Sequence, residues 1–239
     1  MAPQEKIKLF TFYNSHFNIL KDRFLSTLQD DYEVHCVLGD FEANHQPISH
    51  AVDMFIARSN MICDAIKNNM GKIIIVSDID IQFFRKSEST VRESLKEYDM
   101  AFQKGDVHRP RNMGFIGINC SPQTLAFFEA VREEIRKTGR WEEIIINEFL
   151  DTNMAVTHTI FPETILTPVL SSRPSDIILH HAIAAGVSPK SKLKQMMQVE
   201  RMLAAGTFSQ FNSKKLGNSL LSQLHHVHKQ RKEKGAYVA

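Results

Sequence analysis

The chain has little of what would mark a secreted, membrane-bound or nucleic-acid-binding protein. Its three cysteines, Cys36, Cys63 and Cys120, are far apart and show no Cys-x-x-Cys spacing, which argues against both a disulfide framework and a zinc site. No stretch approaches the roughly 18 uninterrupted apolar residues of a membrane span. The opening Met-Ala-Pro-Gln-Glu-Lys has no apolar core of a signal peptide. There is no internal repeat, and no low-complexity stretch before residue 206. A formal net charge of +2 predicts neither a nucleic-acid nor a membrane partner. These absences read as a soluble, cytoplasmic protein of a reducing compartment, without a transmembrane segment.

What is present can build a core. At 239 residues and 43% apolar, the chain forms one large domain or two tightly joined ones. Charge is spread unevenly: residues 210–239 hold six Lys/Arg and one acid, leaving 23 basic and 26 acidic residues in positions 1–209. We therefore expect a body over residues 1–205 and a basic helical tail over 206–239. In that tail Leu216, Leu220, Leu221 and Leu224 share a face ahead of the run His225–Lys234. A solvated, fraying helix is one reading of it, and binding to an acidic surface the other.

Periodicity predicts a strand at Ile7–Tyr13, a helix at Phe17–Leu28, a strand at Glu33–Leu38, a helix at Ala51–Asn69 and a strand from Ile73. Such alternation implies βαβ units and a mainly parallel sheet. Beyond it we expect a short helix at Ser89–Glu97, a strand at Met100–Gln103, a polar mobile loop at Gly105–Arg111 and a strand at Phe115–Asn119. Ser121-Pro122 then opens a helix as N-cap and first helical residue. Trp141–Leu150 reads as a further helix, Thr157–Phe161, Ile165–Leu166 and Asp176–His181 as strands, and the chain from Lys192 as helical.

The segment with the most chemistry is Lys72–Phe84. Ile73 to Val76 are four β-branched apolar residues, as in a strand buried on both faces, and they run directly into Asp78-Ile79-Asp80. In open α/β sheets ligands bind beyond the carboxyl ends of the strands, where two carboxylates offer hard oxygen ligands to a divalent cation. A cation there would hold a diphosphate. About 0.6 Asp-x-Asp triplets arise by chance in this composition, so a plain strand-end turn is the competing reading. Far along the chain, His180-His181 ends an apolar strand; neighbouring side chains on a strand point to opposite faces, so one of the two can join a cation site.

Order and spacing of these motifs resemble a known family. The helix, glycine, apolar strand and Asp-x-Asp of Met70–Phe83, the later Asn112-Met113-Gly114-Phe115 and the final His180-His181-Ala182, Gly186 and Lys190 are similar to the nucleotide-diphospho-sugar transferases of the GT-A fold, and to glycosyltransferase family 77 among them. The resemblance spans roughly residues 5–195. It implies an α/β, Rossmann-like fold with a mixed, mainly parallel central sheet flanked by helices. It also implies transfer of a sugar from a nucleotide-diphosphate donor, with UDP as the nucleotide, to a glycan or glycoconjugate acceptor. By the same resemblance Asp78 and Asp80 serve the ribose and a Mn²⁺ or Mg²⁺ ion, with His181 or else His180 as third ligand. Lys190 then meets the diphosphate, Thr11, Phe12 and Tyr13 lie against the nucleotide, and Arg58 sits near the donor unless it is an ordinary exposed helix charge.

Two departures stand out. The usual secretory anchor is missing, which points away from a Golgi form. Where the family has Asp-Gln on a helix, this chain offers Asn147-Glu148. An inverting transfer needs a base for the acceptor hydroxyl; Glu148 and Asp151, three apart on one helix face, are candidates, as are Asp40 and Asp106. A retaining transfer can use the leaving phosphate instead. Rival readings are a haloacid-dehalogenase-type phosphotransferase, which Gln82 fits poorly, and a non-catalytic nucleotide-sugar binder.

Overall fold

The computed structural model describes residues 5–39, 47–152, 155–166, 176–183 and 188–208. Asp40, Gly186 and the basic tail beyond residue 208 lie outside the described residues. The chain begins with β1 (Lys8–Tyr13), α1 (Asn18–Thr27), β2 (Glu33–Leu38), α2 (Pro47–Lys67) and β3 (Ile73–Ser77). Strand β1 pairs in parallel with both β2 and β3, as the alternating pattern requires. Gly71, in the left-handed region at φ 76°, makes the turn between α2 and β3 that an L side chain would strain.

Next come β4 (Ile81–Phe83), α3 (Glu88–Ser94), β5 (Met100–Lys104) and β6 (Arg111–Asn119). Strand β6 lies antiparallel between β3 and β5. Helices α4 (Pro122–Thr138) and α5 (Glu142–Asp151) follow, then β7 (His158–Ile160), which pairs in parallel with β5. The resulting six-stranded sheet has the order β2-β1-β3-β6-β5-β7. It is mixed and mainly parallel. Ser121 caps α4: its hydroxyl accepts from the Thr124 amide while the Thr124 hydroxyl accepts from the Ser121 amide.

A second sheet, β4-β9-β8, is built from β4, β8 (Ile165–Leu166) and β9 (Leu179–His181). Strand β4 is not legible in the sequence, since three residues carry no periodicity; β8 matches the strand expected at Ile165–Leu166. The strand expected at Asp176–His181 is paired only over its last three residues, and α6 (Pro189–Ala204) closes the described body.

Strand β3 is buried on both faces for a visible reason. Ile74 and Val76 pack with Ile62, Ile66, Phe127, Val131 and Ile145 of α2, α4 and α5. Ile75 packs on the other side with Leu20, Phe24, Val91 and Met196 of α1, α3 and α6. Each fully buried Ile contributes about 1.5–3 kcal/mol of apolar burial. The carboxyl end of β3 is thus fixed by core on both sides.

Candidate active site

The Asp78-Ile79-Asp80 segment links the two sheets. Asp78 follows β3, and its amide donates to Gly114 O at 2.7 Å. Asp80 precedes β4, and its carbonyl accepts from the Ala182 amide at 2.9 Å. Strand β4 runs antiparallel to β9 with Ile81 opposite His181, so the register itself delivers a histidine to the aspartates. Donor atoms of Asp78, Asp80 and His181 lie within 4.8 Å of one another, and no other His/Cys/Asp/Glu group among the described residues is so placed.

His181 is held with care. Its Nε2 lies 3.1 Å from Asp80 Oδ1 and 3.4 Å from Asp78 Oδ2. Its Nδ1 donates to Gln103 Oε1 at 2.9 Å, and Gln103 is fully buried on β5. With Nδ1 so engaged, Nε2 is the ring nitrogen left to face the carboxylates, the usual arrangement behind a metal-ligating imidazole. The ring rests against the backbone of Gly114, where an added Cβ would lie 2.1 Å from His181 Cε1 and 2.2 Å from Nδ1. The glycine of the Asn112-x-Gly114 motif therefore makes room for an imidazole.

His180 faces the other way. It is fully buried, its Nδ1 accepts from Gln82 Nε2 at 3.4 Å, and burial, followed by neighbouring His181, pushes its pKa down to about 3. It stays neutral and does not stand with Asp78 and Asp80.

Cations surround the acidic pair. Arg58 of α2 reaches Asp78 Oδ1 at 3.0 Å, pairs with Glu142 and donates to Met113 O at 2.8 Å. Its side chain is 11% exposed, so it is no ordinary surface charge. Lys192 of α6 pairs with Asp80. Burial acts to raise the Asp80 pKa, but Lys192 and then His181 outweigh it and hold the carboxyl ionised. Lys190, the lysine expected at the diphosphate, is exposed two residues earlier and is not among the residues lining the cleft; Lys192 is.

The carboxylates expected as bases sit elsewhere. Glu148 pairs with Arg140 and Asp151 with Arg111, at side-chain exposures of 53% and 62%. Asn147 is structural: its Nδ2 donates to Arg111 O at 2.9 Å and its Oδ1 accepts from Arg111 N at 3.1 Å. The acids that α5 turns toward the site are Glu142 and Glu143 in its first turn, 3% and 4% exposed. Glu143 accepts from Asn112 Nδ2 at 2.9 Å and pairs with Arg109 at 3.2 Å. Burial pushes its pKa up to about 7 against the pull of Arg109. Burial raises Glu142 as well, against Arg58.

The β5–β6 loop is tied down rather than free. Asp106 accepts from the amides of His108 and Arg109, both at 2.8 Å, and these bonds hold its carboxyl below the usual range although burial acts the other way. Arg109 stacks over Trp141 at 4.8 Å. Asp106 is not among the residues lining the cleft, and its bonds within the loop make it a turn residue.

Arg58, Asp78, Asp80, Glu142, Glu143, His181 and Lys192 line a cleft of about 290 Å³ with Phe12, Met54, Phe55 and Ile183. Of the three β1 residues expected at the nucleotide, Phe12 lines the cleft, Thr11 is fully buried and Tyr13 half-buried beneath Lys21. The donor set suits a divalent cation. It holds two carboxylates and one oriented imidazole, and a lysine ammonium already rests against Asp80 as a cationic stand-in. Sequence reasoning missed Gln103, Glu142, Glu143 and Lys192; the acidic doublet behind Trp141 at a helix start was the signal available for the glutamates.

The architecture is that of a GT-A glycosyltransferase. A glycosyltransferase involved in glycosylation of the major capsid of PBCV-1 superposes with a TM-score of 0.59 at 13% identity, over 82% of this chain and 100% of that one. GlyE of Streptococcus pneumoniae TIGR4 gives 0.57 at 9% identity, over 92% of this chain and 64% of its own. The galactosyltransferase LgtC, in complex with donor and acceptor sugar analogs, gives 0.52 at 7%, over 83% and 96%. Residues 30–215 match the nucleotide-diphospho-sugar transferase family, and the chain belongs to it. No curated protein sequence is significantly similar. Among the described residues no helix is long and apolar enough to cross a membrane.

Proposed function

We propose that the protein transfers a sugar from a UDP-type nucleotide-diphosphate donor to a hydroxyl of a glycan or glycoconjugate, with Mn²⁺ or Mg²⁺ as cofactor. The observation that carries this reading is the Asp78–Asp80–His181 cluster at the carboxyl edge of the sheet, on the floor of a cleft that also presents Arg58 and Lys192. Asp78, Asp80 and His181 would hold the cation, which when bound neutralises charge growing on the leaving diphosphate. Lys192 would add a positive charge there without donating a proton to the anomeric oxygen. Phe12 and Phe55 offer apolar faces to the nucleoside.

Glu143 replaces Glu148 and Asp151 as the candidate to take the acceptor proton. It lines the cleft, and a carboxyl with a pKa near 7 is poised to accept a proton at working pH. Arg109 and Asn112 fix its orientation. The test is calorimetric titration of UDP and GDP, with and without Mn²⁺, into wild type and Asp80→Ala. Metal-dependent UDP binding that Asp80→Ala abolishes is expected; metal-independent or absent binding would sink the reading.

A further inference from the structure

We propose that Lys192 and the divalent cation compete for Asp80, so that metal loading is coupled to the arrival of the donor diphosphate. This rests on the glycosyltransferase reading above and adds a control of the same site. Each aspartate already has a side-chain cation on it: Arg58 lies 3.0 Å from Asp78 Oδ1, and Lys192 pairs with Asp80 Oδ2. The remaining oxygens, Asp78 Oδ2 and Asp80 Oδ1, face His181 Nε2 at 3.4 and 3.1 Å. A dication drawn to these three groups would share the Asp80 carboxylate with an ammonium, in a site where that carboxylate is 9% exposed. Like charges so close, and so poorly screened, oppose each other.

Of the two resident cations only Lys192 can yield. Arg58 is anchored at three points, by Asp78, by Glu142 and by the carbonyl of Met113. Lys192 is a flexible four-carbon arm from the first turn of α6, and its one other acceptor among the described residues is Ala182 O at 3.4 Å. A diphosphate entering beside Asp80 gives the ammonium a new anionic partner just as the dication takes over the carboxylate. Metal alone therefore binds weakly, and metal and nucleotide strengthen each other reciprocally. Removing the ammonium leaves Asp80 unbalanced and open to a dication without nucleotide.

The experiment is Mn²⁺ binding by calorimetry to wild type, Lys192→Met and Lys192→Gln, with Lys194→Met as an exposed control on the same helix, each with and without UDP. Thermal unfolding establishes that every variant is folded. Without UDP, both Lys192 variants are expected to bind Mn²⁺ about tenfold tighter or more than wild type and Lys194→Met, and to lose most of the gain that UDP confers. Unchanged or weaker Mn²⁺ binding in both folded variants, with Mn²⁺-dependent UDP binding intact in wild type, overturns the competition and spares the function. Wild type that binds neither Mn²⁺ nor UDP overturns both.

Discussion

Glu142 and Glu143 in the first turn of α5 are 3% and 4% exposed, whereas the side chains of Glu148 and Asp151 toward its end are 53% and 62% exposed. Both ends carry two acids, and each acid has an arginine near it. The difference lies in where α5 is pinned. Asn147 grips the backbone of Arg111 from both sides, and the stretch of β6 beyond that point brings Asn112 and Met113 up to Glu143. The helix is thereby laid with its first turn over the cleft and its last turn in solvent. Carboxylates become a desolvated pair at one end and solvated surface charges at the other, a distinction no helical spacing records.

The sharpest break of this comparison is kinetic. Glu143→Ala should lower kcat by about a hundredfold or more, the range for loss of a general base, while Glu148→Ala and Asp151→Ala stay within about twofold. Initial rates at saturating donor decide it; an equal loss at Glu148 would erase the contrast.

A second probe uses pH. Burial holds the Glu143 carboxyl at about 7, above its ordinary 4.5, so between those values the folded protein binds more protons than the unfolded chain. Stability from this group is full below pH 4.5 and falls as pH rises toward 7, by about 3 kcal/mol in total. Glu143→Gln should therefore gain on wild type in melting temperature between pH 5 and 7.5. In wild type, activity should rise with pH through the same midpoint as the carboxylate forms. A melting difference that does not change with pH would contradict both.

The smallest of these effects tests the pin. Asn147→Ala removes both bonds to Arg111 and should cost about 1–3 kcal/mol in denaturant unfolding. KM and kcat should worsen together as the first turn of α5 loses its seat. Loss of stability with unchanged kinetics would mean the two ends are set independently.

Much of the fold was readable because it rests on long, strongly patterned segments. Ile73–Val76 announced a doubly buried strand, and Asp78 and Asp80 stand at its carboxyl end. Ser121-Pro122 announced a helix start that the structure caps as expected. Alternation on a strand foretold that only one of His180 and His181 could face the aspartates, and the β4–β9 register decides which. What stayed hidden was set by tertiary placement. Gln103 reads as an ordinary strand residue until β9 crosses it. Lys190 and Lys192 are equivalent in sequence, two apart on one helix, yet they point about 160° away from each other by helical geometry. Only the docking of α6 through Met196 and Val199 selects Lys192.

The placement of Asp78 and His181 also bears on how the molecule resists force. One aspartate directly follows a strand of the six-stranded sheet and the histidine ends a strand of the three-stranded sheet, with Asp80 in the short link between β3 and β4. Anything that grips all three side chains fastens one sheet to the other at their covalent link. The binding site is in that sense a rivet, and sliding the sheets apart would have to shear it.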